Sequence, residues 1–227
     1  MNHLTASATR PVSTKSFDMA SVFYTDSFLF KNLKVGAKTV EIFEALFAIS
    51  LLIIFAPIML VVSIAIKATM GGNIIYSQTR VGKAGKNFNI YKFRSMIENA
   101  EAKTGPTLAT QNDPRVTRLG RFLRASHVDE LPQLFNVVFG DMSFVGPRPE
   151  RPEFVDIYEL EIKNYTRRNE VKPGITGLAQ ICLAYDATAA EKLDYDLFYI
   201  DNRASIVFNI IISYYTAIKM LTFFRNS

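Results

Sequence analysis

The chain has 227 residues, of which 49% are hydrophobic and 21% charged, so a disordered chain and a highly charged coiled coil are both excluded. A single cysteine and two histidines exclude an intrachain disulfide framework and cysteine-rich or multi-histidine metal sites. The net charge of +5 is uneven, because residues 67–125 hold eleven basic and three acidic side chains. That segment predicts an anionic partner, which could be a membrane surface, a phosphorylated substrate or a nucleic acid.

A poorly ordered leader is predicted at 1–38, where Ser, Thr, Asn and Lys are frequent. The most apolar stretch follows, from Ala45 to Ile66, and as a helix it is long enough to cross a hydrocarbon core about 30 Å thick. A buried core helix is the alternative. Pro57 lies in the middle of the stretch and removes one backbone donor, so we expect a kink or a break there.

Two membrane arrangements follow from Pro57. A kinked helix could cross the bilayer, or a helix, a break and a second helix could enter and leave on the same face. Basic residues occur on both flanks, since Lys31, Lys34 and Lys38 precede the apolar stretch and Lys67 follows it. Basic flanks at both ends favour the re-entrant arrangement slightly.

The remaining pattern alternates short strands and helices. Two strands are predicted at 73–80 and 87–93 around a glycine-rich turn, and helices are predicted at 95–103 and 153–168. The apolar segment 206–224 predicts a transmembrane helix, a core helix or a helix lying in the membrane interface.

Basic and acidic side chains meet in the middle of the chain. Arg115, Arg118, Arg121 and Arg124 recur at intervals of three, which on a helix places them on one broad face. A solvated basic face, or one that meets lipid headgroups, is the alternative. Adjacent carboxylates follow at 129–130, at the start of a helix predicted over 129–138. They indicate an anionic substrate together with a metal or a nucleophile, although stabilisation of the helix dipole alone could explain them.

A proline-rich loop lies shortly after these carboxylates. Three prolines within the segment 146–152 stiffen the backbone around Arg148 and Arg151. A rigid loop suits bidentate contacts between a guanidinium and phosphate oxygens. A simple linker into the next helix is the alternative.

Five motifs occur in order along the chain. They are IYKFRSM at 90–96, DPRVTRLG at 113–120, DELPQLFN at 129–136, GDMSFVGPRP at 140–149 and VKPGITGLAQ at 171–180. Together they resemble the bacterial sugar transferase family, the monotopic polyprenyl-phosphate phosphoglycosyl transferases, over residues 38–225.

The resemblance implies a bacterial inner-membrane enzyme whose active site lies on the cytoplasmic face. Such an enzyme transfers a sugar 1-phosphate from a UDP-sugar to undecaprenyl phosphate, releases UMP and starts a polysaccharide or glycoconjugate repeat unit. The expected cofactor is Mg²⁺. Expected partners are UDP-sugar, undecaprenyl phosphate, membrane lipid, a second copy of the chain in a homodimer and downstream glycosyltransferases, with no nucleic acid.

The resemblance also assigns roles to residues. Asp129 is implied as the nucleophile that forms a covalent phosphosugar intermediate, with Glu130 supporting the metal or handling a proton; both are the implied metal ligands. Lys92, Arg124 and Arg148 match positions implied to bind phosphate. We add Arg151 to these phosphate-binding candidates, because it lies in the same rigid loop.

The implied fold is α+β and mostly helical, with an N-terminal re-entrant membrane helix-break-helix, a small β-hairpin region and amphipathic interfacial helices. The predicted divisions are a leader at 1–38, the membrane hairpin at 39–70 and a catalytic domain at 71–227. In the family the hairpin breaks at Ser-Pro, whereas this chain has Ala56 before Pro57. No hydroxyl is available there to bond the freed backbone, which affects the angle of the break.

A non-catalytic, membrane-anchored scaffold that binds anionic lipid is the alternative function. It would require Asp129, Glu130 and Arg148 to be dispensable. Nucleic-acid binding is disfavoured, because no aromatic stacking motif accompanies the basic segment.

Overall fold

The computed structural model of the chain describes residues 37–102, 105–110, 113–184, 186–203 and 205–226. The leader predicted at 1–38 lies outside these residues except for its last two positions. The helices and strands, in chain order, are α1 (Ala37–Met70), β1 (Ile75–Val81), β2 (Asn87–Phe93), α2 (Arg118–Ala125), α3 (Gln133–Phe139), β3 (Ser143–Val145), α4 (Pro152–Glu161), β4 (Gly174–Thr176), α5 (Leu178–Cys182), α6 (Ala189–Asn202) and α7 (Ile206–Asn226). Helices predominate, which confirms the predicted mostly helical α+β fold.

Helix α1 exposes large apolar side chains along its length, including Ile53, Ile54 and Leu60. Among the described residues it is the one helix long and apolar enough to cross a membrane. Pro57 lies inside this single helix. The sequence left a kink and a break open, and the resemblance favoured two helices separated by a break. Proline removes only one N–H donor, and the turns on either side keep their own hydrogen bonds, so the missing donor need not end the helix.

Both arms of α1 pack on the rest of the chain. Before Pro57, Ala48 is fully buried in a cluster that includes Leu134 of α3. After Pro57, Ile66 is fully buried in a cluster with Phe93 of β2. The apolar helix is therefore attached at two places to one folded body, and its outward side chains remain exposed.

Polar contacts reinforce the first of these attachments. The Glu44 carboxylate accepts a hydrogen bond from the backbone N–H of Phe144 at 3.1 Å and another from the Ser143 hydroxyl. Lys172 forms an ion pair with Glu41 at 3.4 Å. The N-terminal arm is thus bonded to β3 and to the segment that leads into β4.

The C-terminus of α1 is closed by glycines and a buried arginine. Gly71 and Gly72 have φ values of 62° and 51°, in the left-handed region that glycine adopts at low cost. The Arg94 guanidinium, 7% exposed, donates to the carbonyl of Met70 at 3.1 Å and to that of Gly71. A cation at this end is favoured by the helix dipole, so Arg94 links the end of α1 to β2.

Strands β1 and β2 form an antiparallel hairpin, as predicted, in which Ile75 lies opposite Phe93 and Val81 opposite Asn87. The register places Tyr76 directly opposite Lys92. Directly opposed side chains point to the same face of a sheet, so Tyr76 and Lys92 share a face.

Strands β3 and β4 pair in parallel, with Ser143 opposite Gly174 and Val145 opposite Thr176. Helices α6 and α7 cover this pair through a cluster of buried side chains that includes Tyr199. The Tyr199 hydroxyl also donates to the carbonyl of Val145 at 2.8 Å. This sheet fixes the point at which the proline-rich loop begins.

Of two predicted helices, one is absent from the described residues and the other is shorter than predicted. Segment 95–102 contains turns and no helix, because the Ile97 N–H donates to the Arg115 carbonyl at 2.9 Å and Asn99 is left-handed, with φ of 53°. The helix predicted over 153–168 ends at Glu161, since Asn164 is also left-handed, with φ of 64°. A short 3₁₀ helix then continues over Tyr165–Glu170.

Candidate active site

The two adjacent carboxylates lie in a short 3₁₀ helix, Val128–Glu130, that precedes α3. The helix predicted over 129–138 therefore begins later, at Gln133, with Pro132 at its N-cap. His127 precedes the 3₁₀ helix in a left-handed conformation, with φ of 56°. This sharp turn carries Asp129 inward, where the residue is only 6% exposed.

Glu130 is the centre of a compact ion-pair network. One of its carboxylate oxygens, Oε1, accepts from Lys92 Nζ at 2.7 Å and from Arg148 Nη2 at 2.8 Å. Burial alone would raise the pKa of Glu130, but the charges and hydrogen bonds of Arg148 and Lys92 hold that pKa well below its usual range. Glu130 is therefore ionised at neutral pH and holds two cations from distant parts of the chain together.

Asp129 is in a different electrostatic situation. Burial raises its pKa to about 6; Lys92, Arg124 and Arg148 offset this only in part, and the charge of Glu130 adds to it. The carboxylate makes no hydrogen bond or ion pair with any described residue, so near neutral pH it is a largely ionised and uncommitted group.

The predicted phosphate-binding residues divide into two groups. Lys92 and Arg148 contact Glu130 directly, and Arg124 acts on Asp129 through its charge while its Nε donates to Ser95 Oγ at 2.8 Å. The Arg148 side chain is 43% exposed, and a guanidinium with five donors keeps several of them available after one bond to Glu130.

Arg151 lies outside this network. Its Nη1 donates to both carboxylate oxygens of Glu101, at 2.8 and 3.0 Å, and its guanidinium carbon lies 5.5 Å from the centre of the Phe154 ring. The structure thus brings Lys92, Arg124, Asp129, Glu130 and Arg148 together and places Arg151 in a separate ion pair. A phosphate-binding role for Arg151 stays a prediction.

Asn136 connects the two elements that carry Lys92 and the carboxylates. Its side-chain amide donates to the Asn89 carbonyl at 2.7 Å, and its amide oxygen accepts from the Tyr91 N–H at 3.1 Å. The fully buried amide thus bonds β2 much as a neighbouring strand would. Sequence reasoning missed this role, although Asn136 belongs to the quoted motif at 129–136, because the pattern does not tell which strand its side chain meets.

Mg²⁺ fits this arrangement only if protein carboxylates and substrate phosphates coordinate it together. The described residues contain no group of three or more His, Cys, Asp or Glu side chains arranged to hold a metal. Mg²⁺ is commonly held by one or two carboxylates together with substrate phosphates and water, and Asp129 and Glu130 are oxygen donors of that kind. The uncommitted carboxylate of Asp129 makes the pair suitable for such a site.

The sequence is similar to known proteins over most of its length. The family described as bacterial sugar transferase matches residues 36–223. A UDP-N-acetylgalactosamine-undecaprenyl-phosphate N-acetylgalactosaminephosphotransferase of Aeromonas hydrophila is 43% identical over 187 residues, which cover 81% of this chain and 43% of that protein. A UDP-glucose:undecaprenyl-phosphate glucose-1-phosphate transferase of Klebsiella pneumoniae is 46% identical over 66% of this chain and 33% of its own length.

A shorter relative matches almost throughout. The exopolysaccharide production protein PSS of Rhizobium leguminosarum bv. phaseoli is 38% identical over 79% of this chain and 94% of its own length. The chain thus spans less than half of the two longer relatives and nearly all of this one.

Proposed function

Because the chain belongs to the bacterial sugar transferase family, we propose that it transfers a sugar 1-phosphate from a UDP-sugar to undecaprenyl phosphate and releases UMP. The observation that carries the proposal is the pairing of Asp129, buried and uncommitted, with Glu130, which gathers Lys92 and Arg148. This pairing puts a carboxylate nucleophile beside fixed cations. Both are needed for attack on a diphosphate, because its negative charge repels an anion.

The first step forms a covalent intermediate. A carboxylate oxygen of Asp129 attacks the phosphorus that carries the sugar, and the bond from that phosphorus to the bridging oxygen breaks. UMP leaves with the electron pair of that bond, and Asp129 then carries the sugar phosphate as an acyl phosphate. In the second step an oxygen of undecaprenyl phosphate attacks the same phosphorus and displaces the Asp129 carboxylate.

The neighbouring residues bind and orient. The exposed part of the Arg148 guanidinium and the Lys92 ammonium lie where they can contact phosphate oxygens and screen their charge. Glu130 orients both cations, and its low pKa makes it a poor proton carrier. Mg²⁺, held by Asp129 and Glu130, would supply further neutralisation of the phosphate charge.

The packing of α1 supports a helix whose two ends lie on the same face of the membrane. Ala48 and Ile66, on opposite sides of Pro57, both pack on one folded body, and a helix crossing the bilayer would carry one arm to the far side. UDP-sugars are cytoplasmic substrates, so we place this body on the cytoplasmic face of the inner membrane. There the lipid-linked product would pass to downstream glycosyltransferases.

Activity is tested with the full chain in detergent or nanodiscs, undecaprenyl phosphate and a panel of UDP-sugars, with UMP as the readout. We expect one or more UDP-sugars to yield UMP only with acceptor and Mg²⁺, and Asp129→Asn to abolish release. Mass spectrometry of the intact protein without acceptor should detect a sugar-phosphate adduct in the wild type alone. Wild-type activity in Asp129→Asn would show that Asp129 is not the nucleophile. Turnover that persists in excess chelator would show that Mg²⁺ is not required.

Topology is tested separately with single cysteines in a Cys182→Ser background. Lys38→Cys reports on the start of α1, and Lys83→Cys reports on the hairpin turn; both positions are exposed. Neither should react with an impermeant maleimide in intact cells, and both should react after lysis. Labelling of only one in intact cells would favour a crossing helix.

A further inference from the structure

The loop that carries Arg148 is held by an unusual set of bonds to its backbone. Four consecutive carbonyls, at 147–150, each accept a hydrogen bond from a different residue. The donors are Gly174 N–H to Pro147 at 3.0 Å, Arg168 Nη2 to Arg148 at 2.8 Å, Arg80 Nη1 to Pro149 at 3.0 Å and Val81 N–H to Glu150 at 2.9 Å. Bonds from β1, β4 and the 3₁₀ helix Tyr165–Glu170 therefore converge on this short segment.

Arg168 is the most constrained of these donors. It is 8% exposed, and its Nε donates to the Asp196 carboxylate at 2.7 Å while its Nη1 donates to the Tyr165 hydroxyl at 2.7 Å. Asp196, on α6, is 2% exposed. These two partners fix the plane of the guanidinium, so its Nη2 is directed at the carbonyl of Arg148. A lysine ammonium carries the same charge but lacks this planar fork.

Arg80 supports the next carbonyl in a similar way. Its side chain is 20% exposed, and its Nη2 donates to Gln78 Oε1 at 2.6 Å on the same strand. Both Nη atoms of Arg80 and all three nitrogens of Arg168 therefore donate to the protein backbone or to neighbouring side chains. Arg148 differs, because its exposed guanidinium contacts Glu130.

We propose that Arg168 and Asp196 are positioning residues for the phosphoryl transfer, which act by holding the Arg148 backbone so that its guanidinium meets Glu130 and the substrate diphosphate. The proposal rests on the proposed function. Displacement of a substrate-binding group by about 1 Å can lower the rate about a hundredfold. Four separate donors fix the loop, and so they keep Arg148 at the position that the reaction needs.

The test compares Arg168→Lys with Arg167→Lys, the same substitution at the neighbouring residue. Arg167 is 39% exposed and pairs with Glu170 and Asp201 on the surface. UMP release is measured at temperatures where all variants are folded, over a range of UDP-sugar concentrations. We expect Arg168→Lys to lower kcat/KM for UDP-sugar by about tenfold to a hundredfold. The KM for undecaprenyl phosphate and the activity of Arg167→Lys should stay near wild type.

Amide hydrogen exchange supplies a readout that does not depend on activity. The N–H groups of Val81 and Gly174 donate to the held loop, so Arg168→Lys should speed exchange there and leave α1 and α3 unchanged. Tyr165→Phe removes one bond to Arg168 and should give a smaller effect in the same direction, which keeps the test usable if Arg168→Lys does not fold.

The outcomes are distinguishable. Faster exchange throughout the chain would make Arg168 a general stabiliser and overturn the proposal, as would lost activity with no local change in exchange. Wild-type kcat/KM despite faster local exchange would also overturn it. Absence of UMP release by the wild-type chain would instead contradict the proposed function, while the exchange data would still report on the loop.

Discussion

Asp129 and Glu130 are adjacent in the chain, yet their surroundings act on their pKa values in opposite directions. Burial raises the pKa of Asp129 to about 6, whereas Arg148 and Lys92 outweigh burial at Glu130 and lower its pKa. A raised carboxyl pKa means that ionisation of the group destabilises the fold above the usual pKa. A lowered one means that ionisation stabilises the fold above the usual pKa and that this stability is lost on acidification.

Asp129→Asn should therefore stabilise the metal-free protein at pH 7.5. The pKa shift from 3.8 to about 6 corresponds to as much as about 3 kcal/mol in the free energy of unfolding. The gain should shrink as the pH falls below 6 and vanish by about pH 3, where Asp129 is protonated in both the folded and the unfolded chain. Thermal unfolding in detergent with excess chelator, at both pH values, measures the difference.

Glu130→Gln is the matched control, and its expected effect on the free energy of unfolding is opposite in sign. The variant should be less stable than wild type at pH 7.5, because Lys92 and Arg148 lose their common partner. Equal shifts in melting temperature for both variants would contradict the opposed pKa directions. A stabilising Asp129→Asn is also what a reactive carboxylate kept at the expense of stability predicts.

At the scale of elements, Asn136 joins α3 to the edge of β2 and so sets the distance between the carboxylates and Lys92. Asn136→Ala should lower the free energy of unfolding by about 1–3 kcal/mol, because the Tyr91 N–H and the Asn89 carbonyl lose their partner. Chemical denaturation measures the loss, and UMP release should fall with it. Asn87→Ala, at the exposed start of the same strand, should change neither quantity.

Sequence reasoning succeeded where interactions are local. Two short segments around a glycine-rich turn predicted the β1–β2 hairpin, and the carboxylate pair at 129–130, which follows several arginines in the sequence, does lie near Arg124 and Arg148. It did not identify contacts between residues that are far apart in the chain. Arg151 pairs with Glu101, fifty positions away, and the pKa of Asp129 depends on burial that no local pattern reveals.

The helix around Pro57 shows the same limit in another form. Local chemistry predicts that proline disturbs the backbone, and it does not predict whether one helix or two result. Here a single α1 forms, and its inward side chains at Ala48 and Ile66 are packed on both sides of Pro57. Tertiary packing along both arms thus accompanies the uninterrupted helix.

At the scale of the whole molecule, apolar surface and positive charge are segregated. The outward side of α1 is apolar, and the segment 67–125 carries the basic excess. Apolar burial and attraction to anionic headgroups would both hold the chain at a membrane, and only the second is screened by salt.

The chain should accordingly stay in the membrane fraction after washes with concentrated salt or alkaline carbonate and be released by detergent. Replacing exposed Ile53 and Ile64 by lysine should release it, since each lysine near the centre of a membrane helix costs about 3 kcal/mol. Alanine at Lys83 and Lys86, in the exposed hairpin turn, is the control and should leave it bound. Release of the wild-type chain by salt alone would indicate a peripheral protein.

Helix α1 is held against β2, β3 and α3 by a few inward-facing side chains. Glu44 bonds the Phe144 N–H, Ala48 is small enough for close approach to α3, and Ile66 fills a cluster beside β2. We expect the exposed apolar residues of α1 to tolerate exchange for other apolar types, whereas substitutions at these three positions would remove specific contacts. A chimera built with the membrane helix of a relative should therefore work only when it keeps an acid, a small residue and a branched aliphatic residue at these spacings.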